Sequence, residues 1–160
     1  MARDSNWLFG MILGILLIGG GGFALYTMTR GLRNNNPGNI KYDGTQWEGL
    51  ATPPSDGTFA VFTDATYGIR ALARILSNYV AIDGVSPTVT AIVSRWAPPS
   101  ENDTTAYIQD IKTQLGIPLD QEPTLDLSID LPALVAAIIQ HENGLQPYSA
   151  ATITQGIALA

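Results

Sequence analysis

Apolar residues recur at helical spacing along much of the chain, and one such stripe runs into an acid. Between Asp130 and Tyr148, Leu131, Leu134, Val135, Ile138 and Ile139 fall at the positions that line one face of an α-helix. Asp130 predicts the cap. Pro132 is tolerated in a first turn, where amides need no intrahelical partner, and Gly144 predicts a left-handed stop. One more step along the stripe reaches Glu142. A carboxylate at the negative end of a helix dipole, on or beside a buried face, is poorly placed as an anion. That placement suits a proton donor. The plain alternative is a glutamate that turns to solvent at a helix end.

The same periodicity predicts three earlier helices. Thr63 or Asp64 caps the first, with Ile69, Leu72, Ala73, Leu76 and Tyr79 or Val80 inward. Ser86-Pro87 opens the second, with Val89, Ile92, Val93 and Trp96 inward and Pro98-Pro99 as its end. Asp103 caps the third, with Tyr107, Ile108, Ile111 and Leu115 inward and Gly116 as its stop. Ile117 to Ile129 reads as a mixed loop, and Ala150 to Ala160 as a last apolar helix. Strand signals are few. Ile40 and Tyr42 alternate with polar neighbours before an Asp43-Gly44 turn, and Phe59, Val61 and Phe62 follow a loop containing Pro53, Pro54 and Gly57. This predicts a small β-hairpin or three-stranded sheet. Gly31 to Ile40, GLRNNNPGNI, predicts an irregular loop rich in amide donors and acceptors. The fold class is α+β, mostly α.

Trp7 to Thr29 contains no charged residue. As a helix it would reach about 34 Å at ~1.5 Å per residue, enough for a bilayer core of ~30 Å. Trp7 and Tyr26 fall where aromatic belts lie, and Gly10 and Gly14 offer a face to a neighbouring transmembrane helix. The run is long for a signal peptide and lacks an A-x-A cleavage site, which favours an uncleaved anchor. Two domains are therefore expected, a lipid-embedded anchor over 1–30 and a folded domain over 31–160. Arg30 and Arg33 after the span, against Arg3 and Asp4 before it, bias the folded domain towards the cytoplasm.

Composition removes several function classes. There is no Cys and a single His, so no metal-ligand spacing and no thiolate chemistry is available, and no cofactor is implied. A net charge of -6 argues against a nucleic-acid partner.

Three stretches resemble the lysozyme-like superfamily, in particular soluble lytic transglycosylases and goose-type lysozymes. AAIIQHENGLQPYSA is similar to the block in which an apolar helix ends in the family's catalytic Glu, which falls on Glu142, with Asn143 where Ser is usual. WAPPSENDTTAYIQDI is similar to the block that carries the family's active-site Tyr, which falls on Tyr107, with Thr104 on its Thr. Trp96-Ala97-Pro98 stands where Tyr-Asn-x-Gly is usual. RGLRNNNPGNI resembles the opening of a group of phage virion and lytic proteins. The Glu helix comes last here and first in the family, so the resemblance implies a circularly permuted order.

The resemblance implies peptidoglycan as substrate and cleavage between N-acetylmuramic acid and N-acetylglucosamine. Glu142 and Tyr107 are the candidate catalytic residues. Asn35, Asn36 and Asn39 are candidates to hydrogen-bond sugar hydroxyl and acetamido groups, Trp47 and Trp96 to stack on sugar rings, and Thr104 and Asn143 to complete the site. Packing in the core is the plain alternative for Tyr107 and both tryptophans. Asp43, Glu48, Glu101 and Asp103 all fall in loops or caps, so no second acid is framed as Glu142 is. A single Glu suits a transglycosylase, in which the sugar's own 6-hydroxyl attacks. The alternatives are a hydrolytic muramidase and a glycan-binding or structural virion membrane protein without activity. The expected location is a single-pass membrane protein of a virion membrane or host-penetration device, or of an inner membrane facing the periplasm.

Overall fold

The structure, a computed structural model, describes residues 28–160. It contains α1 (Arg30–Arg33), β1 (Leu50–Ser55), β2 (Ala60–Phe62), α2 (Ala65–Ala81), α3 (Val89–Trp96), α4 (Thr104–Gln114), α5 (Leu127–Asn143) and α6 (Ala150–Ala158). The domain is mostly helical with one two-stranded antiparallel sheet.

The expectation of a transmembrane helix ahead of the domain is corrected. Among the described residues no helix is long and apolar enough to cross a membrane. Residues 7–27 of the expected span lie outside the described residues. Thr29, its last residue, belongs to the folded domain: it caps α1 by accepting from the Leu32 amide, and it donates to Asn143 Oδ1 at 2.6 Å. The expected boundary at residue 30 therefore cuts through a cap.

α5 packs against α1, α2, α4 and α6. Being covered on several sides, it buries Leu131, Leu134, Val135, Ala137, Ile138 and Ile139, more than a single amphipathic stripe. It starts a turn earlier than Asp130 suggests. Asp126 is the cap, accepting from the Ser128 amide, and Asp130 accepts from the Asp126 amide, so two orphan donors are satisfied reciprocally. Pro132 thus lies in the second turn, where only the ladder bond to the Ser128 carbonyl is forfeited. Gly144, with φ +72°, ends the helix as expected.

In α2, Ile69, Leu72, Ala73 and Leu76 are fully buried and Asp64 is the cap. α3 is capped by Thr88 and α4 by Asp103. Burial of such large aliphatic side chains contributes roughly 1.5–3 kcal/mol each, so this helical core carries the stability of the site.

The sheet differs from expectation. The segment containing Pro53 and Pro54, expected as a loop, is strand β1; each strand of a two-stranded sheet has a free edge, where a residue without an amide is tolerated. Ile40 to Tyr42 forms only an isolated bridge, Lys41 to Phe59. The stretch 31–40 is also not wholly irregular, because Arg30–Arg33 makes one helical turn.

Candidate functional site

The Asn-rich segment is fastened to the sheet by its own side chains. Asn34 donates to Asp56 Oδ2 at 2.6 Å, Asn35 to the Phe62 carbonyl at 3.0 Å, and Asn36 to the carbonyls of Ile40 and Ala60 at 2.9 Å each. Asn36 also accepts from the Ile40 amide. Arg30 completes the clamp with a bidentate pair to Asp56, whose carboxyl this contact holds well below the usual range against the opposing effect of burial. Gly68 on α2 lets the segment approach closely: a Cβ there would lie 2.0 Å from the Asn35 carbonyl oxygen. The amides of Asn35 and Asn36 are therefore engaged within the protein, while Asn39, held at φ +50°, faces elsewhere.

Asn39 Nδ2 donates to Glu142 Oε2 at 2.9 Å. On the other oxygen, Tyr107 Oη donates to Glu142 Oε1 at 2.8 Å, and the Trp96 indole N–H points to the same atom at 3.4 Å. Three separate elements thus converge on one carboxylate: the Asn loop, the end of α3 and the first turn of α4, all meeting the last turn of α5. Glu142 is half-buried and Tyr107 is 3% exposed. Burial raises the Tyr107 hydroxyl well above the ordinary tyrosine range, and the adjacent Glu142 charge and hydrogen bond add to this. Tyr107 is accordingly a neutral donor.

Asn143 and Thr104 serve the frame. Buried Asn143 donates to the carbonyls of Pro37 and Ile139 at 2.8 Å each, tying the Asn loop to α5 one residue from Glu142. Thr104 donates to the Ala97 carbonyl at 2.6 Å and so fixes α4 against the end of α3. Trp47 is half-buried against the core and makes no hydrogen bond to Glu142. Two residues not singled out from the sequence also belong here. The His141 ring stacks on Tyr107 with centroids 3.5 Å apart, and its Nδ1 lies 2.6 Å from Asp110 Oδ2. No local pattern marks this pair, because Asp110 and His141 meet only through the packing of α4 against α5.

Among the described residues, no carboxylate joins the hydrogen bonds around Glu142. Most other acids have partners: Glu48 pairs with Arg70, Asp83 with Arg95, Glu101 with Lys41 and Glu122 with Lys112, while Asp64, Asp103 and Asp126 cap helices. No group of three or more His, Cys, Asp or Glu side chains among the described residues is placed to hold a metal ion. A shallow hollow of about 270 Å³, lined by Thr90, Thr105, Ile108, Gln109, Lys112 and Leu119, includes neither Glu142 nor its partners. The arrangement around Glu142 suits one group that gives and takes a proton, held in place by neutral donors.

No family model matches the chain. It is 43% identical over 130 residues to Protein P5 of Pseudoalteromonas phage PM2, an alignment that covers 79% of each chain.

Proposed function

We propose that this chain, which belongs to the Protein P5 family, is a phage peptidoglycan lytic transglycosylase whose single acid and base is Glu142. The observation that carries the reading is the convergence of Tyr107, Trp96 and Asn39 on that carboxylate. The similarity of the Glu142 and Tyr107 blocks to lytic transglycosylases supports it, and the relative's source in a phage supports a place in the virion.

The geometry distinguishes the two carboxylate oxygens. Oε1 accepts from two donors, so both its lone-pair directions are occupied, while Oε2 accepts from Asn39 alone. Oε2 is therefore the oxygen that carries the working proton. It protonates the glycosidic oxygen as the bond from that oxygen to C1 of the muramic acid breaks. The muramic acid 6-hydroxyl oxygen then bonds to C1, and its proton passes to Glu142. The product is a 1,6-anhydro end, and the enzyme returns to its starting state with no water consumed. A hydrolase would instead use a second carboxylate some 5–9.5 Å away to activate water or form a covalent intermediate, and would leave a reducing end. In this reading half-buried Trp96, beside the carboxylate, meets the sugar that carries the scissile bond.

The test is the mass of muropeptides released from purified sacculi by the full chain. Anhydro ends, lighter by one water than reducing ends, are expected. Reducing ends would establish a hydrolytic muramidase, and no release would leave a glycan-binding or structural protein.

A further inference from the structure

Glu142 and Tyr107 do not stand alone between α4 and α5. His141, the residue before Glu142 on α5, bonds through Nδ1 to Asp110, the residue one turn after Tyr107 on α4, at 2.6 Å. The two helices are thus joined by adjacent rungs, Tyr107 to Glu142 and Asp110 to His141. The stacked rings of Tyr107 and His141, 3.5 Å apart and inclined at 24°, fill the space between the rungs. Asp110 is itself held from the next turn, accepting from Gln114 Nε2 at 2.8 Å.

We propose that Asp110 and His141 are positioning residues: their rung holds the His141 ring flat against Tyr107 and so fixes the phenol that orients Glu142 Oε1. The Tyr107 ring is packed in the core, and the face turned to α5 is covered by His141. That face is stacked on an imidazole whose ring nitrogen is tied back to the same helix, so turning the ring displaces His141 and strains the second rung. Aromatic stacking of this kind contributes about 0.5–1.5 kcal/mol beyond area burial, and the Asp110–His141 bond adds a polar constraint at the solvent side. His141 is 29% and Asp110 43% exposed in their side chains, so neither is needed to fill the core. Both are free to serve orientation.

The inference rests on the proposed transglycosylase activity, and its test separates the two. On soluble glycan oligomers, Asp110→Ala is expected to lower kcat about tenfold with KM within about twofold, in line with the cost of a small displacement of a catalytic group. Asp110→Asn, whose amide oxygen still accepts from His141, is expected to restore kcat to within about threefold of the parent. In a Tyr107→Phe background, Asp110→Ala is expected to add less than about twofold, since the group it positions is already gone. An equal loss in both backgrounds would overturn the inference. The readout that needs no activity is the flip rate of the Tyr107 ring by nuclear magnetic resonance in the full chain. Flipping is expected to be slow in the parent and in Glu142→Gln, and faster in Asp110→Ala and in His141→Ala. Identical flip rates in all four would overturn the positioning role even if the wall is cleaved. If the parent cleaves no peptidoglycan, the proposed function fails and the flip rates alone decide whether Asp110 and His141 hold the ring.

Discussion

Gly31→Ala adds one methyl group where the Asn loop meets the end of α5. Its Cβ would lie 2.7 Å from Asn39 Oδ1, 2.9 Å from the Asn36 carbonyl oxygen and 3.0 Å from Asn143 Oδ1. Ordinary contact at such a position begins at 3.4 Å, so the neighbours must retreat by 0.4 to 0.7 Å (3.4 less 3.0, and 3.4 less 2.7). None retreats freely. The Asn36 carbonyl is backbone and accepts from the Asn39 amide at 2.9 Å. Asn143 is held by Thr29, Pro37 and Ile139. Asn39 is the side chain left to move, and it is the one that donates to Glu142 Oε2. Overpacking of this kind costs about 1–3 kcal/mol, partly offset by the better helix propensity of alanine, roughly 0.5–1 kcal/mol. A net loss of about 1 kcal/mol lowers Tm by about 3–5 °C in a domain of this size. A displacement of about half an ångström at Asn39, on a scale where 1 Å costs about 100-fold, lowers turnover about tenfold. Thermal unfolding and kcat measured on the same preparation check both effects. Unchanged Tm with unchanged kcat would refute the close packing on which the frame depends.

Two further outcomes follow from other contacts. Burial pulls the Glu122 carboxyl up, but hydrogen bonds from Lys112 and Thr90 outweigh it and hold the group at about 2. Because the folded value is depressed, this stabilisation is present above the ordinary glutamate range and is lost as pH falls from about 4.5 towards 2. Glu122 is partly solvated, so screening limits the effect to about 1 kcal/mol or less; Glu122→Gln should lower Tm slightly at pH 7 and leave it nearly unchanged near pH 2. Thr29→Ala removes both a helix cap and the donor to buried Asn143 Oδ1, a loss of about 1–3 kcal/mol that should appear as a lower denaturation midpoint in urea.

The helical core was legible because its signals are local. Ile69, Leu72 and Leu76 on α2, and Leu134, Ile138 and Ile139 on α5, are fully buried as their spacing implies, and Asp64, Asp103 and Gly144 mark termini by chemistry confined to a few residues. The start of α5 was not legible, because Pro132 mimics a first-turn proline and Ile129, just upstream, is 72% exposed and breaks the stripe. Strand β1 was hidden by Pro53 and Pro54, which argue against a central strand but not against an edge. In the site, the placement of Glu142 at the end of a buried stripe could be read from one helix. The rung between His141 and Asp110 could not, since it depends on how α4 and α5 face each other. The Asn run showed only that amides were plentiful. That Asn34, Asn35 and Asn36 fasten the loop while Asn39 reaches Glu142 is set by pairing with residues far along the chain.

The most direct measurement is the release of muropeptides from purified sacculi by the parent and by Glu142→Gln. Glutamine can keep the oxygen that accepts from Tyr107 and Trp96, so Tm should stay within a few degrees of the parent, but it cannot donate an acid proton. The parent is expected to release products with 1,6-anhydro ends, and the variant to do so at least about 100-fold more slowly. A folded Glu142→Gln protein that releases the same products at an undiminished rate would contradict the assignment of Glu142 as the acid and base.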